Sequence, residues 1–165
     1  MRTSCLFRLA VLIWVLPVGL SFCQMDQISS IQGHIVATAI VPFGNDFLVG
    51  TLNTFPIKDW SKVMRSTRGG QLTTMFIDFE TILGLAVDTK GRICVLENTT
   101  GNPFPTPNTG KIVRIDGKNK YSDIATGLFL PTGMTFGPGG NLYVSNVGLG
   151  PPPVGLGQIL KITVP

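Results

Sequence analysis

Few side chains in this 165-residue chain have the types and spacing for catalysis or metal binding. His34 is the single histidine, so catalytic triads and multi-histidine metal sites are excluded within one chain. The sequence also lacks CxxC, a P-loop and GxGxxG. What remains is a small set of acidic and amide side chains, each placed just after an apolar run: Asn53, Glu97, Asn98 and Asn146.

The elements that position these residues recur along the chain. Residues 83–95 (LGLAVDTKGRICV) align with residues 132–144 (TGMTFGPGGNLYV), 49 positions later, and a weaker copy covers residues 39–49. A second short strand pattern recurs with almost the same period, at residues 61–65, 110–115 and 157–162. Four short strands in a unit of roughly 40–50 residues are typical of a β-propeller blade.

The repeat predicts an all-β chain of about three four-stranded blades, near residues 27–79, 80–128 and 129–165. The last blade is incomplete in this prediction, and residues 26–31 are the candidate for its missing strand. A closed propeller needs four or more blades, so three blades imply a partial six-bladed propeller. We expect either a shortened copy of a longer protein or a homodimer that completes a six-bladed ring. The remaining alternatives are a genuine open three-blade form and a different blade count.

Residues 1–23 have the pattern of a secretory signal peptide, with Arg2 and Arg8 before an apolar core at residues 9–20. That core is too short and interrupted to predict a transmembrane anchor. Removal of the predicted signal peptide, residues 1–23, leaves residues 24–165 as a secreted or periplasmic chain. Removal of Arg2 and Arg8 would lower the formal net charge from +4 to +2, so the composition does not favour nucleic-acid binding.

Several distinctive runs resemble the ScyD/ScyE family, exported proteins related to the NHL and gluconolactonase-like six-bladed propellers. The matching runs are GTLNTFP at residues 50–56, SKVMR at 61–65, TILGLAVD at 81–88, VLE at 95–97 and LPTGMTFGPGGNLYVSN at 130–146. The likeness covers about residues 36–163. Family members carry further blades before those matched here, so this chain resembles the C-terminal half.

The resemblance implies a divalent-cation site, because related gluconolactonase-like propellers bind a metal with carboxylate and amide groups at one mouth of their channel. Such oxygen ligands suit Ca²⁺ or another divalent cation. Glu97, Asn98 and Asn146 are the candidate metal ligands, and Glu97 is the candidate catalytic carboxylate. The alternative is structural: Glu and Asn at strand ends accept or donate hydrogen bonds to nearby backbone.

Two further surface features stand out. Asn53, Phe55 and Phe104 lie in or beside the long loops and are candidates for a ligand-binding surface; the alternative is that the Pro-rich loops are merely stiffened by proline. Asn98 also opens an N-glycosylation sequon, relevant only in a eukaryotic secretory host.

The function predicted is a non-catalytic binding or scaffold module. The alternative is a metal-dependent, lactonase-like hydrolase with a channel-mouth site, which two chains of a dimer could form together.

Overall fold

The computed structural model describes residues 25–33, 35–53, 59–148 and 156–165. The predicted signal peptide, His34 and Phe55 lie outside these residues. No helix in the described part of the chain is long and apolar enough to cross a membrane.

The described residues form eleven β-strands in three antiparallel sheets, each a meander in which sequential strands pair. The first sheet contains β1 (Ile35–Phe43), β2 (Asp46–Asn53), β3 (Ser61–Ser66) and β4 (Leu72–Phe79). The second contains β5 (Ile82–Val87), β6 (Ile93–Glu97), β7 (Gly110–Gly117) and β8 (Lys120–Leu128). The third contains β9 (Gly133–Phe136), β10 (Leu142–Asn146) and β11 (Gln158–Ile162), with a 3₁₀ turn at Pro138–Gly140 between β9 and β10.

The first strands of successive sheets pack side by side, β1 against β5 and β5 against β9. This is the arrangement of propeller blades, whose first strands line a common axis. Crowding there explains the small residue at position 84. A Cβ on Gly84 would lie 3.1 Å from Leu96 and 3.4 Å from Met134. The prediction of an all-β, blade-like fold is confirmed.

Two apolar clusters hold the sheets together, and alternate side chains of β6 enter each of them. Ile93 and Val95 point into the cluster between the first and second sheets. Cys94 and Leu96 point into the cluster between the second and third sheets. This alternation is the two-residue period of a strand buried on both faces. Burial also raises the pKa of the Cys94 thiol to about 11, as expected of a packing residue.

Residues 25–33 contain no strand, so the expected strand at residues 26–31 is wrong. This N-terminal segment instead lies beside Phe47 and Val49 of the first sheet. These residues flank Leu48 in β2, which points toward the second sheet, so the segment covers the far face, the face turned away from the second sheet. Ser29 Oγ donates a hydrogen bond to the Gly70 carbonyl, 3.0 Å away, in the β3–β4 turn. Gly70 has a φ of +85°, and a Cβ there would overlap the Ile28 carbonyl oxygen. Glycine is therefore required both by the backbone angle and by the approach of the segment.

Candidate functional site

Glu97 ends β6 and is 2% exposed. Its Oε1 accepts a hydrogen bond of 2.6 Å from the backbone N–H of Glu80, in the linker that joins the first and second sheets. Its Oε2 lies 3.5 Å from Nζ of Lys111, the residue directly opposite in β7. Lys111 also lies 3.5 Å from Asp123 in β8. The Glu97 side chain thus connects the linker between the first and second sheets to β7 of the second sheet.

Burial raises the pKa of the Glu97 carboxyl above its ordinary value, although the Glu80 N–H and the Lys111 ammonium oppose that shift. The pKa of Lys111 is also raised. Burial acts to lower it, but the Glu97 and Asp123 carboxylates act more strongly in the other direction. Folding therefore raises the pKa of both groups, that of the Glu97 carboxyl through burial and that of the Lys111 ammonium through its two carboxylate neighbours.

Asn146 ends β10 and repeats the geometry of Glu97 in the third sheet. Its Oδ1 accepts a hydrogen bond of 2.9 Å from the backbone N–H of Phe129, in the linker between the second and third sheets. Its Nδ2 donates to Oε1 of Gln158, the residue opposite in β11, at 2.9 Å. The side chain is 7% exposed. The amide therefore holds the second linker as the carboxylate of Glu97 holds the first.

Asn98 follows Glu97 and points to the other side of β6. Its Nδ2 donates a 2.8 Å hydrogen bond to the Pro131 carbonyl in the second linker. Its backbone N–H donates to the Thr81 carbonyl in the first linker, also at 2.8 Å. The residue is 1% exposed, and its Oδ1 is the one buried side-chain oxygen or nitrogen in the described residues without a hydrogen-bond partner. The end of β6 therefore contacts both linkers.

The three candidate metal ligands are committed to different backbone groups. Glu97 faces the first linker, whereas Asn98 and Asn146 bind the second linker at Pro131 and Phe129. No group of three or more His, Cys, Asp or Glu side chains that could hold a metal occurs within the described ranges. Of these three side chains, Asn98 alone keeps an oxygen without a hydrogen-bond partner. The contacts fit the structural alternative, and the arrangement does not fit the six to eight oxygens that Ca²⁺ prefers.

The loop between β6 and β7 is stabilised by hydroxyl groups that the sequence analysis did not single out. Thr81 Oγ1 donates to the Thr99 carbonyl at 2.6 Å and accepts from the Thr99 N–H at 2.8 Å. Thr99 Oγ1 lies 2.8 Å from Thr109 Oγ1. Thr109 Oγ1 in turn contacts the Thr106 carbonyl at 2.8 Å, and Thr100 Oγ1 donates to the Thr109 carbonyl at 2.9 Å. We call these five residues the threonine network: Thr81, Thr99, Thr100, Thr106 and Thr109.

This network supports the Pro-rich tip of the loop. Pro103, Pro105 and Pro107 are exposed, and Phe104 between them is half-buried. The peptide bonds before Pro103 and Pro105 are cis. The threonine network could not be predicted from the spacing of its residues along the sequence. Thr81 and Thr99, which connect the first linker to the loop, are 18 positions apart. The folded geometry was needed to find it.

The other predicted surface residues are less informative. Asn53 ends β2, and Leu52 beside it forms an isolated bridge with Thr81 of the first linker. Phe55 lies outside the described residues. N-glycosylation of Asn98 needs its amide at the surface, and the burial of this side chain disfavours that prediction in the folded chain.

No family model and no curated protein sequence matches the chain. Solved structures do show similarity. One is the X-ray structure of a putative gluconolactonase, with 14% identity and a TM-score of 0.44, covering 65% of this chain and 40% of that one. Another is regucalcin, described as a calcium-binding protein from Agrobacterium tumefaciens strain C58, with 14% identity and a TM-score of 0.45, covering 63% of this chain and 36% of that one.

The chain thus spans less than half the length of each of these two structures. Its class is defined by its own three sheets and their packing: an all-β chain with the architecture of a partial β-propeller.

Proposed function

We propose that this chain is a non-catalytic binding module of the ScyD/ScyE type, exported by its N-terminal signal. The binding surface in this proposal is formed by the Pro-rich β6–β7 loop. The observation that supports it most directly is the threonine network, which fixes the loop against the first linker while its prolines stay exposed. A loop ordered before binding loses less conformational entropy when a partner docks.

The strand ends beside this loop supply a rigid base. Glu97, Asn98 and Asn146 use their side chains to hold the two linkers between sheets. Loops carried on a rigid β scaffold are a common way to present a recognition surface. In this proposal Phe104 is the apolar anchor, and an extended peptide of a partner protein is the ligand.

Selection from a phage-displayed peptide library against the folded chain tests the proposal. We expect enriched peptides whose affinity falls at least tenfold for the Phe104→Ser variant. The matched control is Ile77→Ser, which removes an apolar side chain that is 43% exposed on β4, outside the loop. Failure to enrich any peptide, or equal losses in both variants, would contradict the proposed surface.

A second candidate is the metal-dependent, lactonase-like hydrolase, and the observation that favours it is the buried Asn98 Oδ1 without a partner. A cation bound there would supply the missing interaction, and Glu97 would have to turn away from its contact with the Glu80 N–H to reach it. The test is calcium titration of the protein followed by thermal unfolding and by assay against a panel of lactones. If Ca²⁺ raises the Tm, lactones are hydrolysed and both effects vanish in Glu97→Gln, the binding-module proposal fails.

Self-association is proposed separately. Two copies of a three-blade unit would complete a six-bladed ring. Ile159 supports this idea, because it is 82% exposed on β11 of the third sheet. Light scattering behind size exclusion tests it: a monodisperse dimer that Ile159→Asp converts to monomer supports the ring, and a wild-type monomer rejects it.

A further inference from the structure

A cavity of about 510 Å³ lies between the N-terminal segment, residues 25–33, and the far face of the first sheet. The segment covers this face without forming a strand on it. Ser29 anchors the segment to the sheet through its hydrogen bond to the Gly70 carbonyl. The volume falls within the range of small-molecule sites in proteins. This cavity is separate from the Pro-rich loop, so an inference drawn from it goes beyond the proposed function.

The lining is predominantly apolar. Its largest apolar side chains are Ile28 and Ile31 from the segment, Ile40 from β1, Phe47 and Val49 from β2, and Leu72 from β4. Ile28 is 55% exposed and Ile40 is 69% exposed. The cavity therefore presents apolar surface to water, and a ligand that covers this surface would be favoured by the hydrophobic effect.

Five of the thirteen lining residues are polar, and the one charged residue among them is acidic: Asp26, Gln27, Ser29, Thr38 and Ser66. Several of their polar groups already have partners. The Thr38 hydroxyl donates to the Ile82 carbonyl at 2.5 Å, and the Ser29 hydroxyl donates to Gly70. Ser66 Oγ lies 3.4 Å from the Thr67 carbonyl. Among the described residues that line the cavity, none is Lys or Arg. An anionic ligand would therefore lose its hydration on binding, and no lining cation would compensate that loss.

We propose that this open cavity binds a neutral, largely apolar small molecule between the first sheet and the N-terminal segment. The sheet supplies one wall and the segment supplies the other. Apolar contact over both walls provides the affinity, and the lack of a lining cation selects against acids.

Two fluorophores with the same aromatic skeleton test both parts of the proposal. N-phenyl-1-naphthylamine is neutral, and 1-anilinonaphthalene-8-sulfonate carries one negative charge. We expect saturable binding of about one neutral probe per chain, at least tenfold tighter than the anionic probe. Non-saturable binding of the neutral probe, or tighter binding of the anionic one, overturns the proposal.

Variants locate the site. Ala37→Trp places a large side chain on the lining of the cavity, and we expect it to weaken binding of the neutral probe at least tenfold. Thr135→Trp is the matched control, an exposed strand position in the third sheet, and should leave binding unchanged. Phe104→Ser should also leave it unchanged, which separates this site from the proposed peptide surface.

A second variant guards against misfolding of the first. Ile28→Asp changes the segment and none of the strands, and it should weaken the neutral probe at least tenfold while the thermal transition of the sheets persists. Retention of wild-type affinity in both Ala37→Trp and Ile28→Asp overturns the assignment, as does an equal loss in Thr135→Trp.

Discussion

The ends of β6 and β10 solve the same structural problem with different chemistry. Each strand ends in a buried side chain whose oxygen accepts the backbone N–H of a linker residue 17 positions earlier, Glu97 from Glu80 and Asn146 from Phe129. In each sheet the side chain also contacts the residue directly opposite on the next strand. That partner is Lys111 for Glu97 and Gln158 for Asn146.

The difference between the two ends is one of charge. The second sheet uses an ionisable pair and adds Asp123 as a further carboxylate beside the lysine. The third sheet uses two neutral amides. A buried charge costs solvation free energy that a neutral amide does not, and the Lys111 ammonium offsets part of that cost for Glu97. A buried carboxylate at a strand end can therefore have a structural role, as the equivalent amide of Asn146 does.

The largest expected effect is that of Glu97→Ala. The change leaves the Glu80 N–H without its acceptor, creates a small cavity and removes one of the two carboxylates that face Lys111. We expect a loss of about 2–4 kcal/mol in the free energy of unfolding. Urea denaturation measures it, with Glu97→Gln as the control that keeps an oxygen at the same place. A loss below that of Asn146→Ala would break the proposed ranking of the two ends.

Asn146→Ala should lower the free energy of unfolding by less, about 1–2 kcal/mol, because it leaves one backbone N–H without an acceptor but leaves no charge unpaired. Gln158 is exposed and recovers its hydrogen bond from water. The same urea titration applies, with Lys161→Ala on the neighbouring exposed edge as control. An unchanged midpoint would mean that the Phe129 N–H finds another acceptor and that the amide does not hold the linker.

The pH dependence of Glu97→Gln gives a smaller effect with a definite sign. The pKa of Glu97 is raised by folding, so its favourable contribution is present below the ordinary value of 4.5 and is lost as pH rises through the raised pKa. Glutamine mimics the protonated carboxyl and does not titrate. We therefore expect the variant to gain stability relative to wild type as pH rises from 4 to 7, by less than the Asn146→Ala loss.

Thermal unfolding of both proteins across that pH range measures this difference. Parallel pH profiles would show that the Lys111 ammonium fully offsets the burial of the carboxylate. A wild-type protein that gains on the variant as pH rises would contradict the sign.

The smallest expected effect comes from transferring the charged pair to the third sheet. Asn146→Asp should lower stability at neutral pH, because the new carboxylate has no opposing cation. Adding Gln158→Lys should recover about 0.5–1 kcal/mol as a favourable coupling between the two positions. A double-mutant cycle at low and high salt measures that coupling. Absence of coupling at low salt would show that the two sheets do not present equivalent geometry.

Much of the fold was predictable because it is local and repeated. Two strand patterns recurring every 46–49 residues carry the number of sheets and their order, and the unbroken apolar run of β6 already marks it as a strand buried on both faces. The expected strand at residues 26–31 failed for the opposite reason. Its position depends on an apolar face of the first sheet, at Ile40, Phe47 and Leu72, which attracts the segment without pairing it.

The candidate site was half predictable. The repeat placed Glu97 and Asn146 at equivalent positions, and the structure brings both to the linkers as the structural alternative anticipated. The grouping of Glu97 with Asn98 in one metal site was already opposed by the sequence, since consecutive residues at a strand end point to opposite sides. The partners Glu80, Thr81 and Phe129 were missed, because they contribute backbone groups or a linker hydroxyl that no motif records.

Most of the strands, the repeat and the equivalence of the two strand ends could be predicted from the amino-acid sequence, because these follow from apolar patterning and spacing along the chain. Only the tertiary structure shows what those ends contact, how the threonine network fixes the Pro-rich loop, and where the N-terminal segment borders a cavity. The contacts that attach these features to the linkers and to the first sheet join residues that are 17 to 41 positions apart, and only the packed sheets set the distances between them.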